Sequence, residues 1–103
     1  FLSDIDVTVD LGAVKQVSYV GGTFMQLKGP GVFMPHKVDI YVSEDGTDFT
    51  HVAQVPNDVS VDDEDLIFRS FETTCDVDAR YIRYHAARSL MRGFLFLDEI
   101  VVN

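Results

Sequence analysis

The chain has 103 residues and a formal net charge of −9; 47% of its residues are hydrophobic and 24% are charged. This composition is typical of one folded domain, and the apolar runs are too short to span a bilayer. The acidic balance argues against nucleic acid and anionic membranes as partners, because both require a basic protein face.

Apolar and polar residues alternate along the first quarter of the chain, which predicts strands rather than helices. The first predicted strand covers residues 5–12. Its apolar residues share one face: Ile5, Val7, Val9 and Leu11. A second strand is predicted over residues 16–27, with a bulge or bend at Gly21-Gly22.

The middle of the chain predicts a hairpin. Residues 36–43 alternate again, with Val38, Ile40 and Val42 on one face, and residues 51–55 form a short strand. Between them, Asp45-Gly46 supplies the positive φ that tight hairpin turns need. Phe49 then re-enters the core or caps its end.

Three further strands are predicted in the last third of the chain, over residues 66–74, 79–87 and 94–102. In the first of them we expect Leu66 and Phe68 to point inward, and Phe71 to join them after a shift in the alternation. In the second, one face carries Ile82, Tyr84 and Ala86, and the other carries Tyr81, Arg83 and His85. Seven strands joined by short loops predict an all-β sandwich or barrel.

Four short segments occur in a fairly specific order and spacing: "DLG" at 10–12, "PHKVDIYVSEDG" at 35–46, "ARYIR" at 79–83 and "DEI" at 98–100. Because of these segments, the chain resembles the discoidin, or coagulation factor 5/8 type C, domain. Taken in order, the segments extend over nearly the whole chain. The resemblance implies an antiparallel β-sandwich of the discoidin-like jelly-roll type, with residues 1–103 as a single domain. Family domains carry a further segment ahead of "DLG", so we expect this sequence to be a fragment of a larger multidomain protein.

The "GVFMP" and "GFLFLDEIVV" segments are most similar to accessory domains of large bacterial glycan-degrading proteins. The resemblance implies a non-catalytic carbohydrate-binding module that is extracellular, periplasmic or on the cell surface. Its partners would be a glycan or polysaccharide and neighbouring domains of the same chain, without nucleic acid or membrane insertion. The alternatives are a structural accessory domain that binds no sugar and a protein-binding adhesion module.

No catalytic motif accompanies this resemblance. The sequence contains no nucleophile elbow, phosphate loop or zinc motif, and no pair of carboxylates is marked out as a glycosidase pair. The single cysteine, Cys75, cannot form an intrachain disulfide and is interpreted as a small, partly buried hydrophobe. We therefore expect no enzymatic activity.

Loops of an up-and-down sandwich gather alternately at its two ends. One end is expected to hold residues 12–16, 44–49 and 75–78, and the other residues 26–36, 57–65 and 88–93. Sugar-binding members of the family bind their ligand in loops at one end, and the second end carries the better candidates: Gln26, Lys28, Phe33, His36, Arg88 and Arg92. The polar groups suit sugar hydroxyls, and Phe33 offers an apolar face.

Other interpretations of these residues stay open. Phe33 and Met34 can simply plug the end of the sandwich, and Arg88 and Arg92 can pair with the acidic stretch at residues 61–65. That stretch does not have the spacing of a calcium loop, and a solvated loop is the expected structure. Arg80 and Arg83 match the family's structural strand and receive no ligand role.

Glu99 is the one candidate metal ligand. In calcium-binding relatives, a carboxylate in the last strand joins backbone carbonyls from the segment ahead of "DLG", and Glu99 occupies the matching position. The resemblance therefore makes calcium a candidate cofactor. Because the carbonyl ligands would lie outside this sequence, we expect calcium to have little effect on the chain.

Overall fold

A computed structural model of the chain describes residues 4–27, 31–57, 66–87 and 95–103. These ranges contain no helix, and therefore no helical segment that is long and apolar enough to cross a membrane. They contain five strands: β1 (Ile5–Gln26), β2 (Lys37–Ser43), β3 (Thr50–Pro56), β4 (Ile67–Ala87) and β5 (Leu97–Val102). The strands form one sheet in the order β3-β2-β4-β1-β5, and every pair is antiparallel. The predicted all-β, antiparallel fold class is confirmed.

The two long strands, β1 and β4, run through the whole molecule. They pair from Ile5 opposite Ala86 to Gln26 opposite Ile67, with a register break between Asp10 and Lys15. β2 pairs only with residues 81–87 of β4. β5 pairs only with residues 20–24 of β1. Each long strand is therefore divided between two sheet layers: one half of the strand lies in the first layer, and the other half lies in the second.

The first layer is defined as β3, β2, residues 81–87 of β4 and residues 5–10 of β1. The second layer is defined as residues 67–79 of β4, residues 15–26 of β1, and β5. The layers face each other, because the hydroxyl of Tyr84 in the first layer donates to the backbone carbonyl of Phe71 in the second at 3.0 Å. Phe24 packs edge-on against Phe71, with ring centroids 5.4 Å apart, and stacks on Tyr84 at 6.4 Å. These contacts make the fold a β-sandwich.

The interior is apolar, and its largest fully buried side chains come from both layers. The inward faces predicted for residues 36–43 and 79–87 are confirmed, because Val38, Ile40 and Val42, and likewise Ile82, Tyr84 and Ala86, are all buried. Burial of each large apolar side chain contributes roughly 1.5–3 kcal/mol. The core cluster therefore stabilises the sandwich along both long strands.

The strand count differs from the prediction. The predicted strands 5–12 and 16–27 are one strand, β1, and 66–74 and 79–87 are one strand, β4. Gly12 has a φ of 85°, which resembles a turn, but it lies in an irregular stretch of β1 where residues 11–14 face Arg80 and pairing then resumes. The seven predicted strands are therefore five. The last of them begins at Leu97 rather than residue 94.

The bulge predicted at Gly21-Gly22 is wrong. Pairing with β4 is continuous from Tyr19 to Gln26, and pairing with β5 is continuous from Val20 to Thr23. The nearest register shift lies after the glycines, between Thr23 and Phe24 in the pairing with β5. The two glycines instead make room for tyrosines. A Cβ at Gly22 would lie 2.7 Å from the hydroxyl of Tyr84, and a Cβ at Gly21 would overlap the hydroxyl of Tyr19.

The face predicted for the start of β4 is also wrong in part. Leu66 and Phe68 are each 55% exposed, whereas Phe71 is 1% exposed, as expected after a slip. Phe68 pairs with Met25 and shares its outward face, while Phe71 packs against Phe24 in the interior. Which face points inward is set by the second layer and not by local alternation.

The hairpin turn between β2 and β3 is confirmed. Gly46 has a φ of 82°. The hydroxyl oxygen of Ser43 accepts hydrogen bonds from the backbone N–H groups of Asp45 at 3.2 Å and Gly46 at 2.8 Å. The carboxylate of Asp45 accepts from the N–H groups of Thr47 and Asp48 at 2.8 and 2.9 Å. Phe49 after the turn is half-buried and lies outside the buried core.

Candidate functional site

His36 lies where the predicted loops of one end of the sandwich meet. Its backbone N–H donates to the carbonyl of Ala87, the last residue of β4, at 2.8 Å. Its carbonyl accepts from the N–H of Asn57, which directly follows β3, at 3.1 Å. The loops that begin at residues 57 and 88 therefore start beside the end of the loop at 26–36. We call this region, built on His36, Asn57 and Ala87, the His36 end.

The loop before His36 is anchored in the interior. Leu27 and Val32 exchange backbone hydrogen bonds of 2.8 and 3.0 Å, which closes the loop between them. Gln26 is fully buried, and its side-chain oxygen accepts from the N–H of Met34 at 3.3 Å. These contacts hold the backbone before His36 in place against the interior of the sandwich.

The predicted ligand residues in this region occupy two environments. Phe33 is 7% exposed and Met34 is 1% exposed, which favours the interpretation that they plug the end of the sandwich. Gln26 is buried beneath them, and His36 is exposed at the surface. Lys28, Arg88 and Arg92 lie outside the described residues. The ligand role of all six residues stays a prediction.

Glu99 is exposed on β5, opposite Thr23. In the described ranges, no three side chains among His, Cys, Asp and Glu come together in a group that could hold a metal ion. The side chains described around Glu99 therefore do not complete a calcium site, and the remaining ligands would have to come from backbone carbonyls or from outside these ranges. Calcium binding stays a prediction.

The outer face of the first layer carries a polar cluster that the sequence did not indicate. Asp39 is only 7% exposed, and its Oδ1 accepts from His51 Nε2 at 2.9 Å and from Gln54 Nε2 at 3.1 Å. Burial raises the pKa of Asp39, but the hydrogen bonds from His51 and Gln54 and the charge of Lys37 outweigh it and lower the pKa overall. The cluster ties edge strand β3 to β2. The period-2 pattern marked these residues only as outward-facing.

Two arginine–aspartate pairs join β4 to β1. Arg83 donates to the two carboxylate oxygens of Asp6 at 2.9 and 2.6 Å. Arg80 donates to those of Asp10 at 2.9 and 3.1 Å. The arginine hydrogen bonds are the main cause of the lowered pKa of each aspartate. Both guanidiniums also lie over tyrosine rings, and these contacts occupy them within the sheet.

The opposite end of the sandwich contains an acidic cleft of about 360 Å³ between the β2–β3 hairpin and β4. It is lined by Val42, Ser43, Glu44, Asp45, Asp48, Thr50, Val77 and Asp78. The sequence placed residues 44–49 and 75–78 at one end, which the cleft confirms, but it assigned no site there. The cleft exists because β4 continues past the end of β2, which local patterning does not predict.

The outer face of the second layer carries exposed apolar side chains. Leu66 and Phe68 are each 55% exposed, and Phe96 is 47% exposed. Phe68 pairs with Met25, and the backbone N–H of Met25 donates to the carbonyl of Phe96 at 3.1 Å. We call Met25, Leu66, Phe68 and Phe96 the apolar patch. Met25 and Phe68 lie on the outer face of β1 and β4, and Leu66 and Phe96 directly precede β4 and β5.

Cys75 matches its interpretation as a partly buried small hydrophobe. Its Sγ lies 3.5 Å from the carbonyl of Val17, to which the thiol donates. Burial, and then the charge of Asp76, raise the pKa of the Cys75 thiol. A raised pKa keeps the sulfur protonated and poorly nucleophilic.

Comparison with known proteins agrees with the fold. A family model described as the F5/8 type C domain matches residues 3–94. No curated protein sequence gave a match to the chain. Domains of this family are binding modules for carbohydrates or lipids and are generally non-catalytic. The family match covers most of the chain, and the antiparallel β-sandwich of the chain agrees with the match. The chain therefore belongs to the F5/8 type C domain family.

Proposed function

We propose that the chain is a non-catalytic carbohydrate-binding module that holds a larger secreted or surface glycan-active protein on its substrate. The observation that carries the proposal is the junction at His36, whose backbone bonds to both Ala87 and Asn57. This junction brings Asn57 and Ala87, the last described residues before two further predicted loops, beside an exposed His36 at one end of the sandwich. A shallow site built from loops on a rigid scaffold is a common arrangement for ligand recognition.

The chemistry near the junction suits sugar hydroxyls. The side chain of His36 is exposed, and the adjoining loop sequences supply Lys28, Arg88 and Arg92 as further donors. Buried Gln26 and Met34 fix the loop before His36, so less entropy is lost when a ligand binds. A shallow, wet site of this kind supports a dissociation constant of roughly 0.1–1 mM, or about −4 to −5.5 kcal/mol.

Weak affinity is sufficient for this role. A module attached to a catalytic partner raises the local concentration of the partner at an insoluble or multivalent substrate. Repeated sugar units supply many weak sites, so retention on a polysaccharide can exceed the affinity for a single unit. The module needs no catalytic residue of its own.

A glycan panel followed by titration calorimetry tests this function. We expect a glycan that binds in the submillimolar range, and we expect His36→Ala and Arg92→Ala to weaken its binding at least about tenfold while the melting temperature stays unchanged. Lys15→Ala is the matched control, because Lys15 is exposed near the opposite end. If no glycan in a broad panel binds at millimolar concentration, the carbohydrate function is wrong.

The apolar patch favours a second candidate function, a structural accessory domain that packs against a neighbouring domain. Phe68 on β4 and Phe96 just before β5 are both exposed, and contiguous exposed apolar surface commonly marks a protein contact. This function predicts weak self-association of the isolated chain that Phe68→Ser with Phe96→Ser abolishes. Light scattering across a concentration series measures it. A monomer at millimolar concentration would argue against the packing role.

A further inference from the structure

Strand β4 has an open edge along residues 72–78. On one side, β1 pairs with residues 67–79 of β4. On the other side of β4, β2 pairs only with residues 81–87. The carbonyl of Phe71, just before the open stretch, accepts a hydrogen bond from the hydroxyl of Tyr84. Among the described residues, no strand pairs with the second side of 72–78. A row of unpaired backbone N–H and C=O groups is a template for another extended segment.

The acidic cleft continues this edge. Val77 and Asp78 of β4 form one wall of the 360 Å³ cleft, and Val42 and the β2–β3 hairpin form the other. Val77 and Asp78 belong to both the edge and the cleft, and we call the two together the groove. The edge alone spans about 23 Å at the usual rise of a strand. That length accommodates an extended segment of about seven residues.

The side chains along the edge alternate in character. Glu72, Thr74, Asp76 and Asp78 are exposed on the outer face, whereas Thr73, Cys75 and Val77 are half-buried toward the interior. A strand added here would place its side chains alternately beside the carboxylates and beside the apolar row. The complementary segment therefore alternates Lys or Arg with small β-branched residues.

The described edge strands of a second copy of this chain do not supply such a segment. The other described edge strands, which are β3, β5 and residues 5–10 of β1, contain no lysine or arginine. Two copies joined through β4 itself would place the carboxylates of Glu72, Asp76 and Asp78 against like charges. The groove therefore suits a different polypeptide of opposite charge, in keeping with the net charge of −9.

We propose that residues 72–78 of β4 and the adjoining acidic cleft bind an extended basic segment of another polypeptide by strand addition. The backbone edge supplies the hydrogen bonds, and the carboxylates of Asp76, Asp78 and Asp48 supply the charge preference. The groove is at the end opposite His36, so this binding is independent of the proposed glycan site.

The experiment uses a capped Lys-Val-Lys-Val-Lys-Val-Lys peptide as the probe. It is titrated into the isotopically labelled 103-residue chain and followed by amide chemical shifts. We expect saturable shifts at residues 72–78 and at the β2–β3 hairpin. Asp76→Asn and Asp78→Asn should each weaken binding by about 1.5- to 5-fold, the range of exposed ion pairs. Asp4→Asn also removes one negative charge but lies far from the groove, and it should weaken binding less.

Two control peptides separate strand addition from general attraction to an acidic protein. In one, the central valine is replaced by proline, which keeps the charge but removes a ladder donor. In the other, glutamate replaces each lysine. Equal binding of the proline peptide, shifts centred outside the groove, or no binding at millimolar peptide would each overturn the proposal.

Discussion

The hydroxyl of Tyr84 donates to the backbone carbonyl of Phe71 at 3.0 Å, and the two residues belong to the same strand. β4 crosses from the second layer to the first between them, so this bond joins the two layers through the interior. Tyr84 is fully buried, and burial raises the pKa of its hydroxyl, which keeps the donor protonated. The bond fixes how far the two halves of β4 fold toward each other.

Removing that hydroxyl should destabilise the sandwich. Tyr84→Phe leaves the buried carbonyl of Phe71 without its donor, and we expect a loss of about 1–3 kcal/mol in the free energy of unfolding. Urea denaturation at neutral pH measures the loss. Tyr81→Phe is the matched control, because Tyr81 is half-exposed on the outer face of the same strand. An equal and small effect of both substitutions would contradict the role given to the bond.

Gly22 should tolerate no side chain while Tyr84 is present. A Cβ at Gly22 would lie 2.7 Å from the hydroxyl and 2.9 Å from Cζ of Tyr84. Such overpacking costs typically about 1–3 kcal/mol. We expect Gly22→Ala to be destabilising in urea denaturation, and we expect part of its cost to disappear in the background of Tyr84→Phe. Strictly additive effects of the two changes would show that they do not meet in the core.

Two glycines with positive φ allow backbone strain and side-chain contact to be separated. Gly46 and Gly31 have φ values of 82° and 81°. A Cβ at Gly46 would lie 3.1 Å from the ring of Tyr81, whereas a Cβ at Gly31 meets nothing within 4 Å. Gly31→Ala should cost about 1 kcal/mol from strain alone. Gly46→Ala should cost more, and Gly46→Val more again, in melting experiments. If alanine costs the same at both positions, the contact with Tyr81 is not significant.

Stability should fall in acid. The arginine hydrogen bonds lower the folded-state pKa of Asp6 and Asp10, and backbone N–H groups of Asp48 and Thr47 lower that of Asp45. A lowered folded-state pKa means that the stabilisation is present above the unfolded value of about 4 and is lost as pH falls through the folded value. Melting temperatures between pH 7 and pH 2 should therefore drop mainly below pH 4. Asp6→Asn and Asp10→Asn should reduce that drop, and a flat profile in the parent would contradict the ion-pair geometry.

Period-2 alternation predicted most of the fold, because most strands pack one face against the hydrophobic interior. Val38, Ile40 and Val42 could be placed inward from sequence alone, and so could Ile82, Tyr84 and Ala86. The Asp45-Gly46 turn was also predictable, because positive φ is a local property. Local rules failed where distant residues decide. Gly12 has turn-like φ inside a continuous strand, and Gly21-Gly22 accommodate Tyr19 and Tyr84.

The site was less predictable than the fold for the same reason. Phe33 lies in a glycine-containing loop, and its sequence context suggested a side chain available for stacking on a ligand. In the structure Phe33 is buried, because it packs at the end of the sandwich. The junction of His36 with Ala87 and Asn57 joins segments about 20 to 50 residues apart in sequence, which no local pattern reports. The Asp39–His51 pair and the acidic cleft likewise arise from strand register.

Calcium should have little effect on this chain. Glu99 is exposed, and the described residues contain no group of three acidic, histidine or cysteine side chains that could hold a metal ion. We expect a chelator to leave the melting temperature unchanged in both the parent and Glu99→Gln. A large chelator-induced drop in the parent that Glu99→Gln abolishes would show that Glu99 ligates calcium together with carbonyl groups.

The most direct test of the proposed function is to map the amide shifts of the labelled chain as it is titrated with a glycan that binds it. If the His36 end is the binding site, the largest shifts will fall on His36, Asn57, Ala87 and the predicted loop sequences at residues 26–36, 57–65 and 88–93. Residues 44–49 and 75–78 at the opposite end will then be nearly unaffected. Shifts concentrated at that opposite end, or spread over the apolar patch, would contradict the site and return the His36 end to a purely structural role.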